Sequence, residues 1–167
     1  MAGERLRASL GTAAFFLAAP AVVAGLMPWL ITDWQVDERL PGSLRAVGAA
    51  LAGIAVVALV SSFAKFALEG LGTPSPTAPT KRLVVSGAYR FVRNPMYVAV
   101  LSIILGQALL FGSTALLGYA ALIAISFVSF VLLYEEPTMR ATYGAQYERY
   151  RAAVPGWVPR LRPWHEP

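Results

Sequence analysis

The feature that most constrains this chain is a run of 41 consecutive uncharged residues from Asn94 to Tyr134. As one helix, at about 1.5 Å per residue, the run would measure roughly 61 Å, or about two crossings of a hydrocarbon core. The sequence Phe111-Gly112-Ser113-Thr114 near its middle is typical of a tight turn. We therefore predict a transmembrane hairpin within residues 97–134, with helices from Tyr97 to Phe111 and from Ala115 to Tyr134.

Two more apolar stretches precede the hairpin. Residues 8–32 form 25 uncharged positions and residues 46–64 another 19, and each stretch is long enough to cross a bilayer as a helix. The first also resembles a secretory signal, but we expect it to be retained as a span that Pro20 or Pro28 bends or ends. Small residues on the second favour helix packing within the monomer over a dimer interface; the pairs are Gly48 with Ala52 and Ala49 with Gly53.

Composition agrees with a membrane protein, because 57% of the residues are hydrophobic and 14% charged, against about 45–50% and about 25% in soluble domains. With no Cys and one His, the chain cannot form a disulfide, a thiolate metal site or a multi-His cluster, so we expect no metal. We predict an all-α integral membrane protein with about four transmembrane helices and a C-terminal amphipathic interfacial helix. The single membrane domain, 1–167, then comprises two N-terminal spans (1–69), a cytoplasmic loop (70–96), the hairpin (97–134) and an interfacial helix with its tail (135–167).

Basic residues orient these spans. With four spans, 12 of the 14 Lys and Arg residues fall on one side of the membrane, and only Arg39 and Arg45 fall on the other. The positive-inside rule then predicts a multi-pass protein of the cell membrane with both termini and the 70–96 loop in the cytoplasm. The basic excess is explained by topology, and no motif indicates nucleic-acid binding.

Beyond Glu136, apolar and aromatic residues recur at spacings of three and four, which predicts an amphipathic helix. The recurring residues are Met139, Tyr143, Tyr147, Tyr150 and Val154. One interpretation is an anchor in the headgroup layer, and the alternative is a lid over a site.

Polar side chains gather at the two open ends of the hairpin, so its closure should bring them together in one charged pocket. The group comprises Tyr89, Arg90, Arg93, Asn94 and Tyr97 before the first helix, and Glu135 and Glu136 after the second. At a helix C-terminus the glutamates would oppose the helix dipole and repel each other, which suggests a ligand-binding use. The alternative is a charged stop at the membrane boundary, just as Arg93 could simply reach lipid phosphates. Pro137 should disfavour helical geometry at Glu136.

From about Gly72 to Arg162 the order of motifs is specific. They are Gly72-Thr73-Pro74-Ser75-Pro76, Arg82 to Arg90, Arg93-Asn94-Pro95-Met96-Tyr97, Glu135-Glu136-Pro137, Tyr143-Gly144-Ala145-Gln146-Tyr147, Tyr150 and Val154 to Arg160. This pattern resembles the isoprenylcysteine carboxyl methyltransferases and their bacterial relatives, which share a C-terminal core with the phospholipid methyltransferases.

The resemblance implies a membrane enzyme that transfers a methyl group from S-adenosylmethionine to a lipid-like acceptor, most simply to a carboxylate. The cofactor-binding residues implied by the resemblance are Arg93, Asn94, Pro95, Tyr97, Glu135 and Glu136. We add Tyr89 from the polar group at the hairpin ends, and Tyr147 and Tyr150 from the lid interpretation of the following helix. Arg93, Arg90 or Arg151 would hold an acceptor carboxylate, whereas an amine or phenol acceptor would need Glu136 or a tyrosine as base. The chain departs from eukaryotic members at Asn94, where they have His, and at Ala153, where they have Arg; Arg151 is the candidate substitute.

Two other functions stay open at this point. Some sterol reductases look related in their C-terminal helices, so a membrane reductase using NADPH is one alternative, although it would favour a phosphate-binding loop that the sequence lacks. A non-catalytic membrane scaffold that binds only a partner is the other. All three predict contact with membrane lipids, and the first predicts a lipid-like small-molecule substrate.

Overall fold

The computed structural model describes residues 18–69 and 83–165, with only the backbone at 66–69. Within these residues the chain is all helical, without a strand, as expected. A short 3₁₀ turn, Gly87–Arg90, precedes the third of five helices. The helices are α1 (Ala18–Thr32), α2 (Gly42–Glu69), α3 (Pro95–Phe111), α4 (Thr114–Tyr143) and α5 (Ala145–Ala153).

Two of these helices are long and apolar enough to cross a membrane, α2 over Gly42–Lys65 and α4 over its whole length. Large apolar side chains such as Ile54 and Ile125 are exposed along them, which suits contact with lipid better than contact with water. The apolar helices α1 and α3 are shorter. Four crossings therefore remain a prediction. The predicted first span begins outside the described residues, and residues 70–82 of the predicted 70–96 loop also lie outside them.

Helices α2 and α3 touch through glycine. A Cβ atom added to Gly48 would lie 2.6 Å from the Gly106 carbonyl oxygen, and one added to Gly106 would lie 2.7 Å from the Gly48 carbonyl oxygen. The two backbones are thus in direct contact, as small residues allow between membrane helices. The predicted packing face of Gly48 and Ala52 is confirmed, whereas the face of Ala49 and Gly53 is exposed.

Proline shapes α1 without ending it. Pro28 has no N–H to give to the Ala24 carbonyl, and the helix widens to a π turn at Val22–Leu26. Gln107 from α3 donates to the freed Ala24 carbonyl at 2.7 Å, which makes a hydrogen bond between the two helices. Tyr119 from α4 donates to the Val23 carbonyl at 2.9 Å, so α1 is fixed to both neighbours.

A π turn before a proline also occurs in α4, and the expected end of that helix at Tyr134 is wrong. A π turn at Val131–Glu135, in which the Glu136 N–H bonds the Val131 carbonyl, lets the helix continue through Pro137 to Tyr143. Glu136 is helical, with φ −61° and ψ −44°, so the expectation that Pro137 would disfavour this geometry is wrong. The glutamates also lie inside a helix, which removes the argument from its C-terminal dipole.

The predicted amphipathic helix over Met139 to Val154 is two helices. Gly144, with φ +52°, breaks it between α4 and α5, because this left-handed geometry suits glycine. The aromatic face of α5 is buried against protein, since Tyr147, Tyr150 and Val154 pack with Leu83 and Trp164 among others. The prediction of a single interfacial helix, with its aromatic face in the headgroups, is therefore wrong. The chain instead forms two helices that meet at Gly144, and the aromatic face of α5 packs against protein.

Candidate functional site

A cleft lies where the start of α3, the π turn of α4 and α5 meet. It encloses about 480 Å³ of empty space, a figure that includes the part open to solvent. It is lined by Leu83, Val84, Tyr89, Arg93, Asn94, Val131, Glu135, Glu136, Met139, Tyr147 and Tyr150.

The π turn explains how two adjacent glutamates line one cleft. In an α-helix, neighbouring side chains point about 100° apart, because a turn takes 3.6 residues. The wider turn at Val131–Glu135 brings residues i, i+4 and i+5 to the same side, and Val131, Glu135 and Glu136 all line the cleft. Single π turns of this kind are frequent at functional sites.

Arg93 joins four segments at the floor of the cleft. Its Nη1 donates to Glu136 Oε1 at 2.8 Å and to the Tyr147 hydroxyl at 3.0 Å, while its Nε donates to the Val154 carbonyl at 3.0 Å. Only 14% of its side chain is exposed. These bonds connect the entry to α3 with α4, α5 and the following tail, so Arg93 serves as a structural clamp within the site.

Glu136 is surrounded by arginines. Its oxygens lie 2.8 Å from Arg93, 3.2 Å from Arg151 and 3.8 Å from Arg140, and its side chain is 8% exposed. Arg140 and Arg151 also reach Glu148, at 2.9 and 3.8 Å, which closes a ring of four charges. The charge of Glu136 is therefore already compensated within the protein.

Glu135 differs from its neighbour. Its Oε1 accepts a hydrogen bond from the Tyr97 hydroxyl at 2.6 Å, and no cation in the described part of the chain forms an ion pair with it. Asn94 adds a second unmet group, because its buried Nδ2 has no hydrogen-bond partner within residues 18–69 and 83–165. Among the described residues, the cleft thus offers a ligand one carboxylate without an ion pair and one amide N–H group without a hydrogen bond.

The tyrosines of the site are held in their protonated form. Burial raises the pKa of Tyr89, Tyr147 and Tyr150 above the ordinary value of about 10, although Arg93 acts in the opposite direction on Tyr147 and Tyr150. Tyr150 donates to the Tyr89 carbonyl at 2.6 Å. At neutral pH these phenols are hydrogen-bonding groups and poor bases.

Most sequence-predicted residues meet here. Tyr97 and Arg151 touch the two glutamates from outside the lining, and Pro95 is buried in the first turn of α3. Arg90 is not among the residues that line the cleft. Its Nε instead donates to the Trp164 carbonyl at 2.8 Å.

The sequence did not indicate the role of the tail after α5. The N–H groups of Arg93 and Asn94 donate to the carbonyls of Pro155 and Gly156, at 2.9 and 3.3 Å. A Cβ on Gly156 would lie 3.2 Å from Arg93 Nη2, so glycine lets the tail approach the clamp. Val131 was also missed, because nothing distinguishes it within an apolar run. A Pro-Gly pair beside a cluster of arginines was the available signal for the tail.

These helices and this cleft define a helical protein with two helices long and apolar enough to cross a membrane and with a charged cleft beside the start of α3. Residues 44–146, more than half of the chain, match the family model described as phospholipid methyltransferase, and the chain belongs to that family. The resemblance drawn from the sequence motifs is thereby confirmed.

A curated relative adds detail. The chain is 34% identical over 79 residues to a protein-S-isoprenylcysteine O-methyltransferase of Schizosaccharomyces pombe (strain 972). The match covers 47% of this chain and 34% of the relative, so it spans about a third of the relative's length. No solved structure matches the chain. Both findings name methyltransferases, and neither supports the reductase or the scaffold.

Proposed function

We propose that the protein transfers a methyl group from S-adenosylmethionine to a lipid-like acceptor, most simply the carboxylate of an isoprenylcysteine. The observation that carries the proposal is Glu135, a carboxylate on the cleft wall with a tyrosine hydroxyl as partner and no ion pair to a described cation. A cationic ligand would complete it. The family and the name of the S. pombe relative support the reaction class.

The residues present fit this cosubstrate. Glu135 suits its positive charge, and the unpaired Asn94 amide suits a hydroxyl or carboxylate oxygen. When bound, S-adenosylmethionine would supply a methyl group whose bond to sulfur breaks as its bond to the acceptor oxygen forms, leaving neutral S-adenosylhomocysteine. The chain's part is to hold both partners in line and to exclude water, which can contribute about 7–11 kcal/mol.

The described residues that line the cleft include no His or Lys to act as a strong base, which favours a carboxylate acceptor, because a carboxylate is already ionised at neutral pH. Asn94 occupies the position of the imidazole in eukaryotic relatives, and the buried tyrosines stay protonated. Arg151, whose side chain is 38% exposed, is our candidate to receive an acceptor carboxylate in exchange for its ion pairs with Glu136 and Glu148, since Arg93 is more buried and makes three internal hydrogen bonds.

A phospholipid amine is the second candidate acceptor, favoured by the description of the matching family. An ammonium must lose a proton before it can accept a methyl group, and Glu135 is the cleft carboxylate that forms no ion pair with a described arginine. With four crossings and the cytoplasmic orientation inferred from basic residues, either acceptor would enter from the bilayer and the cosubstrate from the cytoplasm.

The test is methyl transfer by the purified protein in lipid nanodiscs supplied with radiolabelled S-adenosylmethionine. N-acetyl-S-farnesylcysteine and phosphatidylethanolamine are offered separately, with Glu135→Gln as the matched control. Label released as methanol by mild base identifies a methyl ester, whereas base-stable label in the lipid identifies N-methylation. A folded protein that binds neither S-adenosylhomocysteine nor its amine analogue sinefungin would overturn the proposal.

A further inference from the structure

The segment after Gly156 carries two apolar side chains in unusual exposure. Val158 is 74% exposed and Leu161 is 99% exposed, among the largest values for apolar residues in the described chain. Arg162, beside Leu161, is exposed as well. We call residues 158–162 the tail tip.

The exposure does not result from a loose chain, because hydrogen bonds hold both sides of the tail tip. Before it, the Pro155 and Gly156 carbonyls accept from Arg93 and Asn94. Within and after it, the Arg160 N–H donates to the Phe91 carbonyl and the Trp164 N–H to the Arg90 carbonyl, each at 2.9 Å. The structure therefore holds these apolar side chains outward.

Two tryptophans flank the tail tip and face the protein. Trp157 lies against Tyr97 with ring centroids 6.4 Å apart, and Trp164 lies against Tyr150 at 5.6 Å. The large apolar groups on either side are thus packed, while Val158 and Leu161 between them are not. Their exposure requires a separate explanation.

The level of the tail tip in the membrane follows from its partners. The tail tip is bonded to Phe91 through Arg160, and its flanking residues are bonded to others within 90–94, the segment that immediately precedes the first turn of the apolar helix α3 at Pro95. Where α3 enters the hydrocarbon, the tail tip therefore lies at the boundary between headgroups and acyl chains. This is the depth at which amphipathic segments insert apolar side chains while basic residues meet anionic lipid.

We propose that the tail tip is immersed in the lipid interface, with Val158 and Leu161 among the upper acyl chains and Arg162 on anionic headgroups. Two side chains are too few for a stable protein interface, which usually buries more than about 1,000 Å². A cation next to exposed apolar groups matches the charge of an anionic membrane surface. The inference does not depend on methyl transfer.

The chain contains no cysteine, so single cysteines can report depth. Leu161→Cys and, separately, Val158→Cys are labelled with a thiol-reactive fluorophore and placed in vesicles whose lipids carry bromine near the headgroup or deep in the acyl chain. Ile125→Cys, exposed on α4, is the control for a deep lipid-facing position. Thermal melting verifies that each labelled protein is folded.

Shallow bromine should quench the labels at 158 and 161 more than deep bromine, and the order should reverse at 125. Phosphatidylglycerol in place of phosphatidylcholine should raise the ratio of inserted to withdrawn label at 161 by about fivefold, and Arg162→Gln should abolish that gain. Labels quenched by aqueous iodide but by neither bromolipid would overturn the proposal. So would shielding that persists in detergent and grows with protein concentration, because that result identifies a second copy as the partner.

Discussion

Neutralising Glu135 and neutralising Glu136 are expected to have different effects, the first on ligand affinity and the second mainly on stability. Glu135→Gln removes the charge that faces the cleft and leaves the arginine network intact, since no arginine pairs with it within the described residues. A hydrogen bond to a charged group contributes about 1.5–3 kcal/mol. The expected loss of affinity for a cationic ligand is therefore about 10-fold to about 140-fold, at about 1.4 kcal/mol per tenfold.

Glu136→Gln instead leaves Arg93 without its buried counterion. Removing one partner of a buried ion pair typically costs about 3–5 kcal/mol of stability, because the remaining charge stays buried. Arg151 and Arg140 are more exposed and reduce that figure through solvent screening. We expect a lower thermal midpoint and weakened binding of all ligands alike. Glu148→Gln, which removes the half-exposed member of the ring, should change stability by about 1 kcal/mol or less.

The assay is calorimetric titration with two ligands that differ at the reacting centre, sinefungin with an amine and S-adenosylhomocysteine with a neutral sulfur. Glu135→Gln should weaken sinefungin more than S-adenosylhomocysteine while the melting temperature stays near that of the unmodified protein. The reasoning is refuted if Glu135→Gln binds sinefungin with unchanged affinity. It is equally refuted if Glu136→Gln selectively loses sinefungin without a change in melting.

Three further results are expected. Gly48→Ala should destabilise the α2–α3 contact by about 1–3 kcal/mol through overpacking, while Gly53→Ala on the same helix, with nothing within 4 Å, should stabilise by up to about 1 kcal/mol in the same denaturation series. Because burial raises the pKa of Tyr150, the unfolded state loses this proton first, so the melting temperature should fall above about pH 10, and less steeply in Tyr150→Phe. An impermeant thiol reagent should label Ser43→Cys from outside intact cells and Ala145→Cys only after permeabilisation; the reverse pattern would contradict the orientation.

The hairpin could be predicted because its signals are local. An uncharged run of 41 residues admits two helices, and a Gly-Ser pair fixes the turn, so α3 ends at Phe111 as expected and α4 begins one residue early. Closure of the hairpin then places Arg93 beside the glutamates, which needs no knowledge of side-chain packing. This much of the site follows from topology.

The unequal roles of Glu135 and Glu136 could not be predicted, because they depend on non-local partners. The arginines that compensate Glu136 come from before α3, from α4 and from α5, and their convergence requires the corner at Gly144. The pairing of the tail with residues 90–94 is likewise non-local: backbone N–H groups and the side chains of Arg90 and Arg93 donate to carbonyls 61 or more residues away.

A proline within a helix can either end the helix or distort it locally. Pro28 and Pro137 both distort their helices, and the structure explains why neither ends one. A helix that meets proline loses one hydrogen bond and must avoid the carbonyl four residues earlier. Widening by one residue relieves that clash, and in both helices the π turn ends two residues before the proline. In α1 the freed carbonyl is bonded by Gln107, so the distortion fastens helices together. In α4 the same distortion directs the side chains of both Glu135 and Glu136 toward one cleft. Pro137, which was expected to stop the helix, is therefore associated with the turn that shapes the candidate binding site.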